Sequence, residues 1–92
     1  MPDWRVVLYE DRRGRKPVAE FLGSLSAGDR AKARNALRLL AEFGPLLQMP
    51  HARRVAGRLW ELRAGSLRML YCVEPGQLVL VLHAFRKQTQ KT

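Results

Sequence analysis

The chain has 92 residues, with 17 Lys and Arg against 8 Asp and Glu, a net charge of +9. That length holds a single domain over residues 1–92, and such a basic surface is expected to meet a polyanion, nucleic acid before an acidic protein. The 47% hydrophobic content argues against disorder, the lone Cys72 excludes an intrachain disulfide, and no apolar run marks a signal peptide or membrane span, so a reducing cytoplasm is expected.

The first element is "WRVVLYE", residues 4–10, rich in β-branched and aromatic residues and read as a strand. A basic turn, "DRRGR", follows. Pro17 suits the first position of a short helix whose stripe is Val18, Phe21, Leu22 and Leu25. "SAGD", residues 26–29, is a capping pattern that opens a longer helix. Ala33, Ala36, Leu37, Leu40 and Phe43 form its apolar stripe, and Arg30, Arg34 and Arg38 form a solvated face. Gly44 and Pro45 end it. Residues 45–57 read as an irregular basic connection. Three strands close the chain: "RLWELR" (58–63), "LRMLYCV" (67–73) and "LVLVLHAFRK" (78–87). The fold class is α+β, in the order β-α-α-β-β-β, with a mostly antiparallel twisted sheet and two helices on one face.

The turns between these strands predict a register. A two-residue turn at Gly65-Ser66 sets Arg63 opposite Arg68. A tight turn centred on Pro75-Gly76 sets Arg68 opposite His83. Opposed residues share a face, so Arg63, Arg68 and His83 form a row, with Phe85 and Lys87 further along the same face. The other face reads as core: Trp60, Tyr71 and Leu80 align, as do Leu62, Met69 and Leu82, and Val73 faces Leu78. Leu59, Leu70, Cys72, Val79 and Val81 are expected to share the basic face at its opposite end, where apolar surface calls for a cover.

Two opposed arginines repel, so an anion is expected between them: a ligand phosphate, or the carboxylate of Glu61. Arg63, Arg68, His83 and Lys87 suit a metal-free phosphate site. Guanidinium groups neutralise developing charge, histidine moves a proton near neutrality, and Phe85 offers a ring for a base. RNA supplies its own nucleophile, the 2′-OH. No Cys/His spacing, carboxylate pair, phosphate loop or dinucleotide fingerprint appears, so no metal or cofactor is expected.

"GRLWELR", "LRMLYCV" and "LVLVLHAFRKQTQKT" together resemble the HigB-like, phage-derived branch of the RelE/ParE toxin superfamily. The resemblance implies the toxin of a type II toxin–antitoxin system, a ribosome-dependent mRNA endoribonuclease (mRNA interferase). Its implied partners are the 70S ribosome, mRNA and a cognate antitoxin, a helix-turn-helix protein presenting acidic and apolar side chains. The positions that match the family motif are Arg63, Arg68, His83, Phe85, Lys87 and Lys91. Tyr71 matches too, but its register puts it in the core. Arg86, His51, Arg53 and Arg54 are candidate RNA contacts, the last three because relatives carry basic residues in that connection. Gln88 replaces a second lysine found in many relatives. Relatives also commonly continue past lysine-threonine into a proline and a helix, so this domain is expected to lack that element. Two other readings stay open: a non-enzymatic ParE-like toxin that binds DNA gyrase, and a basic RNA-binding or phage regulatory module.

Overall fold

The computed structural model describes residues 4–88. The chain runs β1 (Arg5–Leu8), α1 (Pro17–Gly23), α2 (Ala27–Phe43), a short 3-10 turn (Gly44–Leu46), β2 (Ala52–Ala56), β3 (Leu59–Ala64), β4 (Leu67–Glu74) and β5 (Leu78–Arg86). The five strands form one sheet in the order β1-β5-β4-β3-β2. β1 runs parallel to β5, and every other pair is antiparallel. The α+β class and the two helices on one face are as the sequence predicts. No helix among the described residues is long and apolar enough to cross a membrane.

The helices start and stop for local reasons. Pro17 opens α1 at a position whose N–H needs no partner. Ser26 caps α2 by accepting the Asp29 N–H at 3.2 Å. Arg30 is not merely part of a solvated face. Its Nε donates to the Leu22 carbonyl, and its Nη2 donates to those of Gly23 and Leu25, so it satisfies carbonyls at and just beyond the end of α1. α2 ends at Gly44, whose φ of +53° suits glycine and whose missing side chain makes room for the Trp4 ring. Phe43 ends outside the core, 43% exposed.

The core lies between the helices and one sheet face. Val18, Ala33, Ala36 and Leu40 meet Leu62, Leu67, Met69, Tyr71, Val79 and Val81 there. Two expectations need correction. First, residues 52–56 are a strand, β2, paired with β3. Only Ala52 is buried in it; the other four residues are exposed. An edge strand wet on both sides carries no hydrophobic alternation, so its sequence looks like a loop.

Second, the β4–β5 turn holds three residues, not two. Glu74 pairs with Leu78, and Gly76 and Gln77 both adopt positive φ between them. That one-residue slip inverts the start of β5. Val79 and Val81 become fully buried core, while Leu78 and Leu80 move to the opposite face. Leu80 therefore pairs with Cys72 rather than aligning with Tyr71, and Leu78 pairs with Glu74 rather than Val73. A bulge then intervenes: Tyr71 pairs with Val81 but Leu70 pairs with His83, so Leu82 is the extra residue and no longer aligns with Met69. The bulge returns His83 and Phe85 to the face opposite the helices.

Candidate nucleic-acid interface

The helix-free face of the sheet carries two neighbouring rows. Arg63, Arg68 and Phe85 form one across β3, β4 and β5. The His51 carbonyl accepts the Arg63 N–H at 2.8 Å, which extends that row toward β2. The second row is Arg53, Glu61, Leu70 and His83. Arg68 and His83 are thus diagonal neighbours, not directly opposed; the longer turn and the bulge together shift β5 by two residues along the row. Arg63 and Arg68 do face each other.

Their electrostatics differ. Arg68 is 5% exposed. Its Nη1 donates to the Gly65 and Leu67 carbonyls at 2.7 and 2.8 Å. Its buried Nε makes no hydrogen bond, and the Glu61 Oε2 lies 3.9 Å away. The same Glu61 oxygen accepts from the Arg53 Nε at 3.2 Å. Glu61 is therefore the carboxylate that screens Arg68, one of the two expected anions. Arg63 is different. Its Nη1 contacts the Met49 sulfur at 3.7 Å, and no acid among the described residues pairs with it.

His83 is exposed, and its ring stacks on Phe85 with centroids 5.7 Å apart and an interplanar angle of 25°. Alternate residues of one strand project to one face, so the pair stands together beside Leu70 and Arg68. Lys87 leaves the end of β5, where its N–H donates to the Ser66 carbonyl at 2.7 Å, and it is exposed. The apolar part of this face is Leu70, Cys72, Leu80 and the 38%-exposed Val7. Val79 and Val81, expected there, are in the core. Burial pushes the Cys72 thiol pKa up, with Glu74 adding to the effect.

Two candidates lie elsewhere. Arg54 pairs with Trp60 on the helix side. Arg86 also points to the helix side, where Nη2 donates to Asp29 Oδ2 at 2.8 Å and Nη1 to the Ser66 hydroxyl at 2.8 Å. That pairing ties the end of β5 to the start of α2. Lys91 lies outside the described residues. Tyr71 is in the core as its register predicts, and burial pushes its pKa up to about 12. Sequence reasoning missed Met49 as a neighbour of Arg63; only the fold brings that loop to the sheet. No group of three His, Cys, Asp or Glu residues among the described ones is placed to hold a metal ion.

This architecture, a five-stranded sheet with two helices on one face and basic side chains on the other, is the fold of the RelE proteins. A chain of the archaeal RelE–RelB complex from Pyrococcus horikoshii OT3 superposes with a TM-score of 0.72 at 18% identity, over 96% of this chain and 99% of that one. A chain of the RelBE2 toxin–antitoxin complex from Mycobacterium tuberculosis gives 0.57 at 17% identity, over 95% and 100%. A search of curated protein sequences returned no match. Residues 20–92 match the family described as phage derived protein Gp49-like (DUF891), and the chain belongs to that family. The likeness to a phage-derived branch of the RelE/ParE superfamily, read from the last three strands, is borne out.

Proposed function

We propose that this chain is the toxin of a toxin–antitoxin pair and acts in the cytoplasm as a ribosome-dependent mRNA endoribonuclease. The observation that carries the reading is Arg63. It is a guanidinium without an acidic partner among the described residues, on the same open face as the exposed His83 stacked on the half-buried Phe85. RelE chains crystallised with RelB share the fold, which supports an antitoxin partner here. That partner presents acidic and apolar side chains to a basic protein with an apolar end to its open face.

The chemistry needs no metal. The RNA 2′-oxygen attacks the adjacent phosphorus and loses its proton, and the P–O5′ bond breaks as the 5′-oxygen gains one. The products are a 2′,3′-cyclic phosphate and a 5′-OH. Arg63 and Lys87 neutralise the phosphate and the charge that grows on it. His83 moves a proton, and Phe85 stacks a base. Arg68, buried against two carbonyls and beside Glu61, positions the β3–β4 turn rather than touching RNA.

Inducible expression of the wild type, Arg63→Ala and His83→Ala tests this, with transcript 5′ ends mapped minutes after induction. The expected result is cuts within translated regions that both variants reduce by at least ~100-fold. Growth arrest with intact transcripts would defeat the nuclease reading in favour of a toxin that only binds its target. Harmless expression of folded protein would defeat the toxin reading.

A further inference from the structure

The helix side of the sheet is not covered to its edge. One row there runs Val81, Tyr71, Trp60, Arg54 across β5, β4, β3 and β2. Val81 and Tyr71 are sealed, Trp60 is half-buried and Arg54 is exposed. Where the row emerges, a pocket of about 310 Å³ is lined by Arg54, Gly57, Arg58, Trp60 and Val73. Its two arginines are held in place by backbone. Arg54 Nε donates to the Gly57 carbonyl at 2.9 Å, and Arg58 Nη2 donates to the Val73 carbonyl at 3.0 Å and pairs with Glu74. Each guanidinium has five N–H donors, so each keeps some free. An indole flanked by two pinned guanidiniums is a stacking platform with phosphate donors beside it. Glu74, the only acid in contact with the two arginines among the described residues, is taken up by Arg58, which leaves Arg54 as the uncompensated cation.

We propose that Trp60, Arg54 and Arg58 form a second RNA-binding subsite that takes one unpaired nucleotide, its base on the indole and its phosphate on Arg54. The subsite lies on the opposite side of the sheet from Arg63, His83 and Phe85, so one RNA-binding protein engages RNA on two faces. This inference rests on the reading that the partner is RNA. It does not rest on cleavage.

Fluorescence separates the two faces. A Trp4→Phe protein leaves Trp60 as the only indole, and it is titrated with a short single-stranded oligoribonucleotide at low salt. The expected result is saturable quenching. Affinity falls about tenfold in Arg54→Gln, the loss of one charge-assisted contact. It is unchanged in Arg12→Gln, which removes an exposed charge from the turn between β1 and α1. If Trp4→Phe fails to fold, the Trp60 indole N–H resonance in the NMR spectrum of the wild type reports the same titration. No response of Trp60 at saturating oligonucleotide would overturn the proposal, whether or not the protein cleaves mRNA. So would a response that Arg54→Gln leaves intact.

Discussion

Each side of the sheet holds arginines of two kinds: those tied to the chain, and those, Arg54 and Arg63, with no acid partner among the described residues. On the helix side, Arg30 donates to three carbonyls around the end of α1, and Arg86 binds Asp29 and Ser66. On the open side, Arg68 is spent on two carbonyls, while Arg63 meets a thioether and solvent. Residue type and charge alone do not distinguish these four. Their partners do not. An arginine whose N–H groups are consumed within the chain holds backbone in place, and one left without acceptors is available to an external anion. Net charge alone therefore overstates the surface available to a polyanion.

The largest effect is expected from closing the helix side wrongly. A Cβ at Gly44 would lie 2.4 Å from the Trp4 ring, on a backbone at positive φ. Both strain and overpacking then apply, and Gly44→Ala should cost about 3 kcal/mol or more. Urea denaturation measures it. A midpoint within error of the wild type would mean that Trp4 is not packed there and that the helix side is looser than the open one.

The open side supplies the next test, an internal contrast between neighbours. Arg68→Ala leaves the Gly65 and Leu67 carbonyls without that donor and Glu61 with only Arg53 beside it, so it should lose roughly 1–3 kcal/mol of stability. Arg63→Ala removes no acid's partner among the described residues and should stay within ~0.5 kcal/mol. Transcript cleavage should nevertheless fall in Arg63→Ala at full stability. Equal destabilisation by the two changes would erase the distinction between a structural and an available arginine. It follows that loss of toxicity in Arg68→Ala cannot by itself assign a catalytic role.

How far the sequence carries is visible in the two hairpins. Gly65-Ser66 makes the β3–β4 turn legible, and every predicted pair there is observed, from Trp60 with Tyr71 to Ala64 with Leu67. Pro75-Gly76 suggests an equally short turn, but Gln77 also takes a positive φ, which non-glycine residues rarely do. One extra residue exchanges the core and open sides of β5, and alternation cannot warn of it because Leu78 to Leu82 are all aliphatic. Val79 and Val81 are misplaced for that reason. His83 and Phe85 keep their face only because Leu82 bulges. The shared face of Arg63, Arg68, His83 and Phe85 is thus legible in the sequence, but their spacing is not. β2 was not legible at all, since an edge strand exposed on both faces has no pattern to read.

The smallest expected effect concerns the tie that holds the helix side to the end of β5. The hydrogen bond from Arg86 holds the Asp29 carboxyl pKa below its ordinary value of 3.8, against an opposing push from burial, with the charges of Arg86 and Lys32 and the Ser26 hydroxyl adding to the lowering. A carboxyl that is more acidic folded than unfolded binds fewer protons in the folded state. Its contribution to stability is therefore complete above the ordinary carboxylate value and is lost as pH falls through the lower, folded one. Asp29→Asn should be less stable than the wild type at neutral pH, and the gap should close on acidification below about pH 4. Paired denaturation midpoints at pH 7 and pH 3 read this directly. A gap that stays constant would mean that the Asp29 charge does no work there. Arg86 would then belong with Arg54 and Arg63 among the arginines open to an external anion, and the division between tied and available arginines would have to move.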